Sequence, residues 1–135
     1  LMHNTVIPVC APDHLGDGSP EALARAPLIE LVGVVDTWPH FFAQHAPDLP
    51  PPETAYRVDQ SLIALELAAH GQGVTLVAEV FATPYLADGR LVRASPLSLP
   101  ARQGHFIVLP DSQNSHRREV RRLVAWLQAE AREGS

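Results

Sequence analysis

Asp59 and Ser61 stand at the head of an apolar run, Leu62 to His70, that Gly71 ends. Asp and Ser are good helix N-cap residues, and a helix opening at Asp59-Gln60-Ser61 leaves its first backbone N–H groups without intrahelical acceptors. Those groups, with the positive end of the helix dipole, can hold a small anion or carboxylate. A plain capped helix accounts for the same residues with no ligand at all. The chemistry therefore depends on what surrounds this turn.

Other reactive side chains form no recognisable constellation. His40 and His45 are five apart and poorly placed to share a helix face. His3, His14, His70, His105 and His116 are scattered, and no HExxH or Cys/His cluster occurs, so no metal site is expected. Cys10 lies in a strand-like run and reads as a small buried hydrophobe, and there is no GxSxG elbow. Gly71-Gln72-Gly73 ends a helix before a strand, the reverse of the order a phosphate-cradling loop needs. The glycines suit a C-cap and a close strand entry instead. These readings count against an enzyme and call for no cofactor. Trp38 with Phe41 and Phe42 can wall a pocket or simply pack as core, and His105-Phe106 opens a strand after a long loop, where side chains can face a cleft.

Composition narrows the classes. At 135 residues the chain suits one domain or two small lobes, and 46% apolar with 19% charged residues is a globular balance. A net charge of −5 argues against this segment gripping a phosphate backbone. A single cysteine permits no internal disulfide, so a reducing cytoplasm is the expected setting. No apolar run approaches the ~20 residues of a membrane span, and with no basic stretch followed by an apolar one at the start no signal peptide is expected. The abrupt start at Leu1-Met2 suggests a fragment of a longer protein.

The elements alternate. Thr5 to Ala11 reads as a strand that Pro8 confines to an edge or a crossing position. Ser19-Pro20-Glu21 opens a short helix to about Arg25. Leu28 to Val35 reads as a buried strand, and Asp36 or Thr37 caps a helix from Trp38 to His45. After the PDLPPP connector, Thr54 to Val58 leads as a strand into the Leu62–His70 helix, and Val74 to Val77 follows as another strand. Glu79 to Ala82 suggests a helical turn ended by Pro84, then strand Leu91-Val92 and a proline-spaced loop from Ser95 to Gln103. His105 to Leu109 reads as a strand. A last helix runs from about Ser115 to Arg132, with Val120, Leu123, Val124 and Leu127 on one face. Arg117, Arg118, Arg121 and Arg122 lie mostly off that face and read as solvated. Such alternation points to an α/β sandwich.

Four stretches, in order, resemble the effector-binding domain of LysR-type bacterial transcriptional regulators. They are Val6-Ile7-Pro8-Val9-Cys10-Ala11-Pro12 with Leu15; Ser19 to Ile29; Ser61 through Leu65, Ala68-Ala69-His70-Gly71-Gln72-Gly73-Val74 and Leu76 to Leu86-Ala87 and Gly89-Arg90-Leu91-Val92; and Phe106 with Leu109-Pro110, followed by Trp126-Leu127. Trp38 followed by a short helix is similar to the branch of glycine-cleavage and β-lactamase regulators. The resemblance implies an α/β, periplasmic-binding-protein-like (type 2) effector domain, here mainly its second lobe plus the returning strand and C-terminal helix of the first. On that mapping residues 1–10 hold the first crossing strand, 11–104 form lobe II, and 105–135 carry the second crossing strand and the closing helix. The apolar stripe of that helix would lack its usual sheet, which favours self-association.

By position, the resemblance implies ligand-binding roles for Asp59, Ser61 and Phe106, with Trp38 on the opposite wall. Ser61 would donate to an effector carboxylate, and Asp59 would accept from an amine or cap. The effector implied is a small polar molecule, an amino acid or a carboxylate-like metabolite. DNA would be reached only through a missing N-terminal helix-turn-helix, within a homo-oligomer and with no membrane. A lobe of a solute-binding transport protein, which shares the fold, is the alternative expectation.

Overall fold

The computed structural model describes residues 4–109 and 117–133. These fall into two compact units, one spanning Asn4–Gln103 and the other beginning at Gly104.

The larger unit is built on a mixed sheet. Strands β1 (Thr5–Cys10), β2 (Leu28–Leu31), β3 (Thr54–Val58), β4 (Val74–Ala78) and β5 (Val92–Arg93) lie in the order β3-β2-β4-β1-β5, and β6 (Leu99–Pro100) also pairs with β1. β2 runs parallel to β3 and β4, whereas β1 is antiparallel to β4, β5 and β6. The helices are α1 (Pro20–Arg25), α2 (Trp38–His45), α3 (Ser61–Ala69) and α4 (Glu79–Ala87). Alternation along each strand divides the core. Leu28, Val74 and Leu76 join Leu23, Trp38, Phe41 and Phe42, while Ile29 and Val77 join Ala64, Leu65, Ala68 and Tyr85. The sheet therefore has α1 and α2 on one face and α3 and α4 on the other.

Caps follow the sequence closely. Ser19 accepts from the Ala22 N–H at 3.2 Å with Pro20 in the first turn of α1, and Thr37 accepts from the His40 N–H at 3.4 Å at the head of α2.

Several expectations require correction. β1 is not an edge: it lies inside the sheet despite Pro8. The Pro8 carbonyl accepts from the Ala94 N–H at 2.9 Å. In a strand a residue's N–H and C=O share one side, so the missing N–H also points away from β4, towards the gap where β5 ends and β6 has not begun. β2 stops at Leu31 rather than Val35, because Gly33 turns the chain with a left-handed φ of +81°. α4 continues through Pro84 to Ala87. Its next residue, Tyr85, is anchored in the core and donates from its hydroxyl to Glu66, which outweighs one lost helical bond. The Ser95–Gln103 loop contains the two-residue β6.

In the second unit, His105–Leu109 is not a strand. Only His105 forms a single-residue bridge, and Phe106 and Val108 are 74% and 87% exposed. β-branched and aromatic residues favour a strand only where a neighbour pairs with them. α5 covers Arg118–Glu133 and buries no residue, and the expected start near Ser115 lies outside the described residues. Val120, Val124, Leu127 and Ala131 are half-buried along one face, while Leu123 and Trp126 are more than half exposed.

Candidate functional site

The end of β3 delivers the chain into α3, and the start of that helix is open. Its N-cap is Gln60, whose side chain makes no capping bond, so Ser61 is the first helical residue rather than a cap. Asp59, expected as a cap, makes no hydrogen bond among the described residues. The first intrahelical bond runs from the Ala64 N–H to the Gln60 carbonyl at 3.1 Å. The N–H groups of Ser61, Leu62 and Ile63 thus remain without intrahelical acceptors, in front of the positive end of a two-turn helix. The Ser61 side chain is partly exposed beside them and Asp59 is exposed. Ser61 and the free N–H groups can hold a carboxylate, and Asp59 can take a cationic donor. The far end of α3 closes as the sequence implied, with Gly71 at a φ of +73° and the Gln72 N–H bonded to the Leu67 carbonyl at 3.0 Å.

Trp38 does not belong with these residues. It is fully buried, its indole N–H donates to the Ile29 carbonyl at 3.0 Å, and Phe41 and Phe42 pack on it with ring centroids 5.4 and 5.9 Å away. A satisfied indole inside an aromatic cluster is a core residue, so the expected wall position is corrected. Phe106 lies in the other unit, where it lines a cleft of about 370 Å³ with Ile107, Gln128 and Arg132.

Cys10 is buried, and burial pushes its thiol above the usual range, which suits a packing residue. Among the described residues no group of His, Cys, Asp and Glu side chains could hold a metal ion, and no helix is long and apolar enough to cross a membrane.

Sequence reasoning passed over Glu30. It sits at the end of β2 with only 8% of its surface exposed, and its Oε2 accepts from the Trp38 N–H at 3.3 Å. Its Oε1 is buried without a partner. A lone acid inside the apolar run Leu28-Ile29-Glu30-Leu31-Val32 was the available signal.

The LysR substrate binding domain model matches residues 1–132. The chain belongs to the LysR substrate-binding domain family. Over 141 aligned residues it is 36% identical to an uncharacterized HTH-type transcriptional regulator, y4mQ, of Sinorhizobium fredii. That alignment covers all of this chain and 46% of the relative, so the chain spans about half the length of the curated regulator it matches. Among solved structures, it resembles the effector domain of the transcriptional regulator AmpR of Pseudomonas aeruginosa, with a TM-score of 0.71 and 22% identity. The AmpR effector binding domain of Citrobacter freundii gives 0.71 at 18% identity. Each of these two likenesses covers 98% of this chain and 66% of the other. The CrgA regulatory domain of Neisseria meningitidis, a LysR-type transcriptional regulator, gives 0.68 at 16%, over 97% of this chain and 66% of that one. These structures carry the periplasmic-binding-protein-like type 2 fold expected of a LysR domain, and the relatives do not favour the transport-protein reading.

Proposed function

We propose that this LysR-family chain senses a small polar metabolite, an amino acid or small carboxylate, at the open start of α3. The observation that carries this reading is the uncapped first turn, where three backbone N–H groups have no intrahelical acceptor and Ser61 and Asp59 adjoin them in sequence. Ser61 donates to the effector carboxylate, and Asp59 selects against a bare dianion by accepting from an amine. The family position of Phe106 makes it a further contact, within its own unit. Such a domain acts on behalf of a cytoplasmic, DNA-binding, oligomeric regulator, in keeping with the HTH-type description of its Sinorhizobium relative. The effector works by binding one arrangement of the regulator better than another. The lobe assignments, 11–104 and 105–135, belong to this reading.

The test is an amide-resolved NMR titration of the chain with acetate, succinate and L-glutamate. Saturable shifts centred on Ser61, Leu62 and Ile63 are expected, strongest with L-glutamate and weakest with succinate, the bare dianion, and Ser61→Ala should weaken them about fivefold, the worth of one ordinary hydrogen bond. No saturable shift in that turn with any of the three would remove the reading.

A further inference from the structure

On the face of the sheet opposite α3, a cavity of about 340 Å³ is lined by Glu30, Gly33, Thr37, Thr54 and Arg57, among others. That volume lies at the lower end of small-ligand pockets. Glu30 and Arg57 are register partners on the parallel strands β2 and β3, so their side chains leave the same face of the sheet about 4.8 Å apart at the backbone. No ion pair joins them. The Arg57 side chain is exposed and makes no hydrogen bond among the described residues, while the Glu30 carboxyl is fixed through Oε2 to the Trp38 N–H. The remaining oxygen, Oε1, is buried with no protein partner, on a residue more than nine-tenths buried.

A buried carboxylate oxygen left unpaired is costly, and the ordinary remedies are a cross-strand cation or a well-packed apolar substitute. Neither is present, although the cation stands on the adjacent strand. The groups lining the cavity are then an acceptor oxygen that lacks a donor and a guanidinium in no direct ion pair. Burial holds the Glu30 carboxyl above its usual range, with the Trp38 N–H and the Arg57 charge pulling it back, so a bound ammonium would restore what desolvation removes.

We infer that this cavity is a binding site, separate from the turn at Ser61, for a small zwitterion whose ammonium meets Glu30 and whose carboxylate meets Arg57. Thr37 and Gly33 line the same cavity. The site does not depend on the effector reading at α3.

The test titrates the chain with L-alanine and 4-aminobutyrate as zwitterions, propylamine as the ammonium alone and propionate as the carboxylate alone, following backbone amides by NMR. A zwitterion is expected to shift Glu30, Thr37, Trp38 and Arg57 saturably, and each singly charged compound to bind at least about tenfold more weakly. Arg57→Ala and Glu30→Gln should each weaken the zwitterion response at Glu30, Thr37 and Trp38 about tenfold. Because Arg57 is exposed, its variant keeps the test intact even where Glu30→Gln does not fold. Shifts confined to Ser61–Ala64, equal binding of the singly charged compounds, or no saturable shift at Glu30 and Arg57 (water alone filling the cavity) would each overturn the inference. Loss of the Ser61 response with retention of this one would overturn only the effector reading.

Discussion

Gly73 shows how tightly single residues are held where α3 returns to the sheet. The Val74 N–H donates to the Pro27 carbonyl at 2.9 Å, and a Cβ on Gly73 would lie 2.2 Å from that same carbonyl oxygen. The φ of +155° is also one that side-chain-bearing residues rarely adopt. Gly73→Ala is expected to cost about 2–5 kcal/mol, strain and overpacking together, in denaturant unfolding. A loss below about 1 kcal/mol would mean that the strand entry yields. Trp38→Phe removes the donor to the Ile29 carbonyl and should cost about 1–3 kcal/mol, read the same way. Residues that act through local backbone geometry were legible in the sequence. Ser19 and Thr37 announce themselves by the proline that follows within two positions, and Gly71 by ending an apolar run. The direction a side chain faces was not legible. Trp38 has the same composition cue in a pocket wall as in a core, and Glu30 has the same cue in a solvated strand as in a buried one.

At the scale of elements, α5 is left largely uncovered among the described residues. None of its residues is buried, and Leu123 and Trp126 are 55% and 57% exposed. Apolar surface left in water favours association with a second copy or another chain. The chain is expected to sediment as a concentration-dependent oligomer, and the pair Leu123→Arg with Trp126→Arg should shift it towards monomer by about tenfold or more in dissociation constant. An unaltered chain that is monomeric at high concentration would show the face to be tolerated in water. The sequence displayed this helix because 3.6-residue periodicity is local. It could not display β1 as an interior strand, since that depends on where β5 and β6 part beside Pro8. Nor could it display α4 running past Pro84, which depends on Tyr85 being held in the core from the far side of one peptide bond. His105–Leu109 failed for the same reason in reverse, having strand-forming residues and no ladder along 106–109 among the described residues.

For the molecule as a whole, Glu30 links ligand, pH and stability. A carboxyl whose pKa is raised by burial holds its proton more tightly in the folded chain than in the unfolded one. Its favourable contribution is therefore complete below the ordinary value of 4.5 and is lost as pH rises through the folded pKa. Glu30→Gln keeps an acceptor for the Trp38 N–H and stays neutral throughout. Relative to the unaltered chain, this variant should gain stability as pH goes from 4 to 8, measured by urea unfolding of both proteins at each pH. A gap that does not change with pH would mean that Glu30 is fully hydrated in solution. A zwitterion at the cavity favours the charged carboxylate, because its ammonium supplies the donor that Oε1 lacks. Saturating L-alanine should then stabilise the unaltered chain more than Glu30→Gln, chiefly at the high-pH end. Binding at the Ser61 turn alone would lift both proteins alike, since neither Ser61 nor the free N–H groups beside it are altered by that substitution.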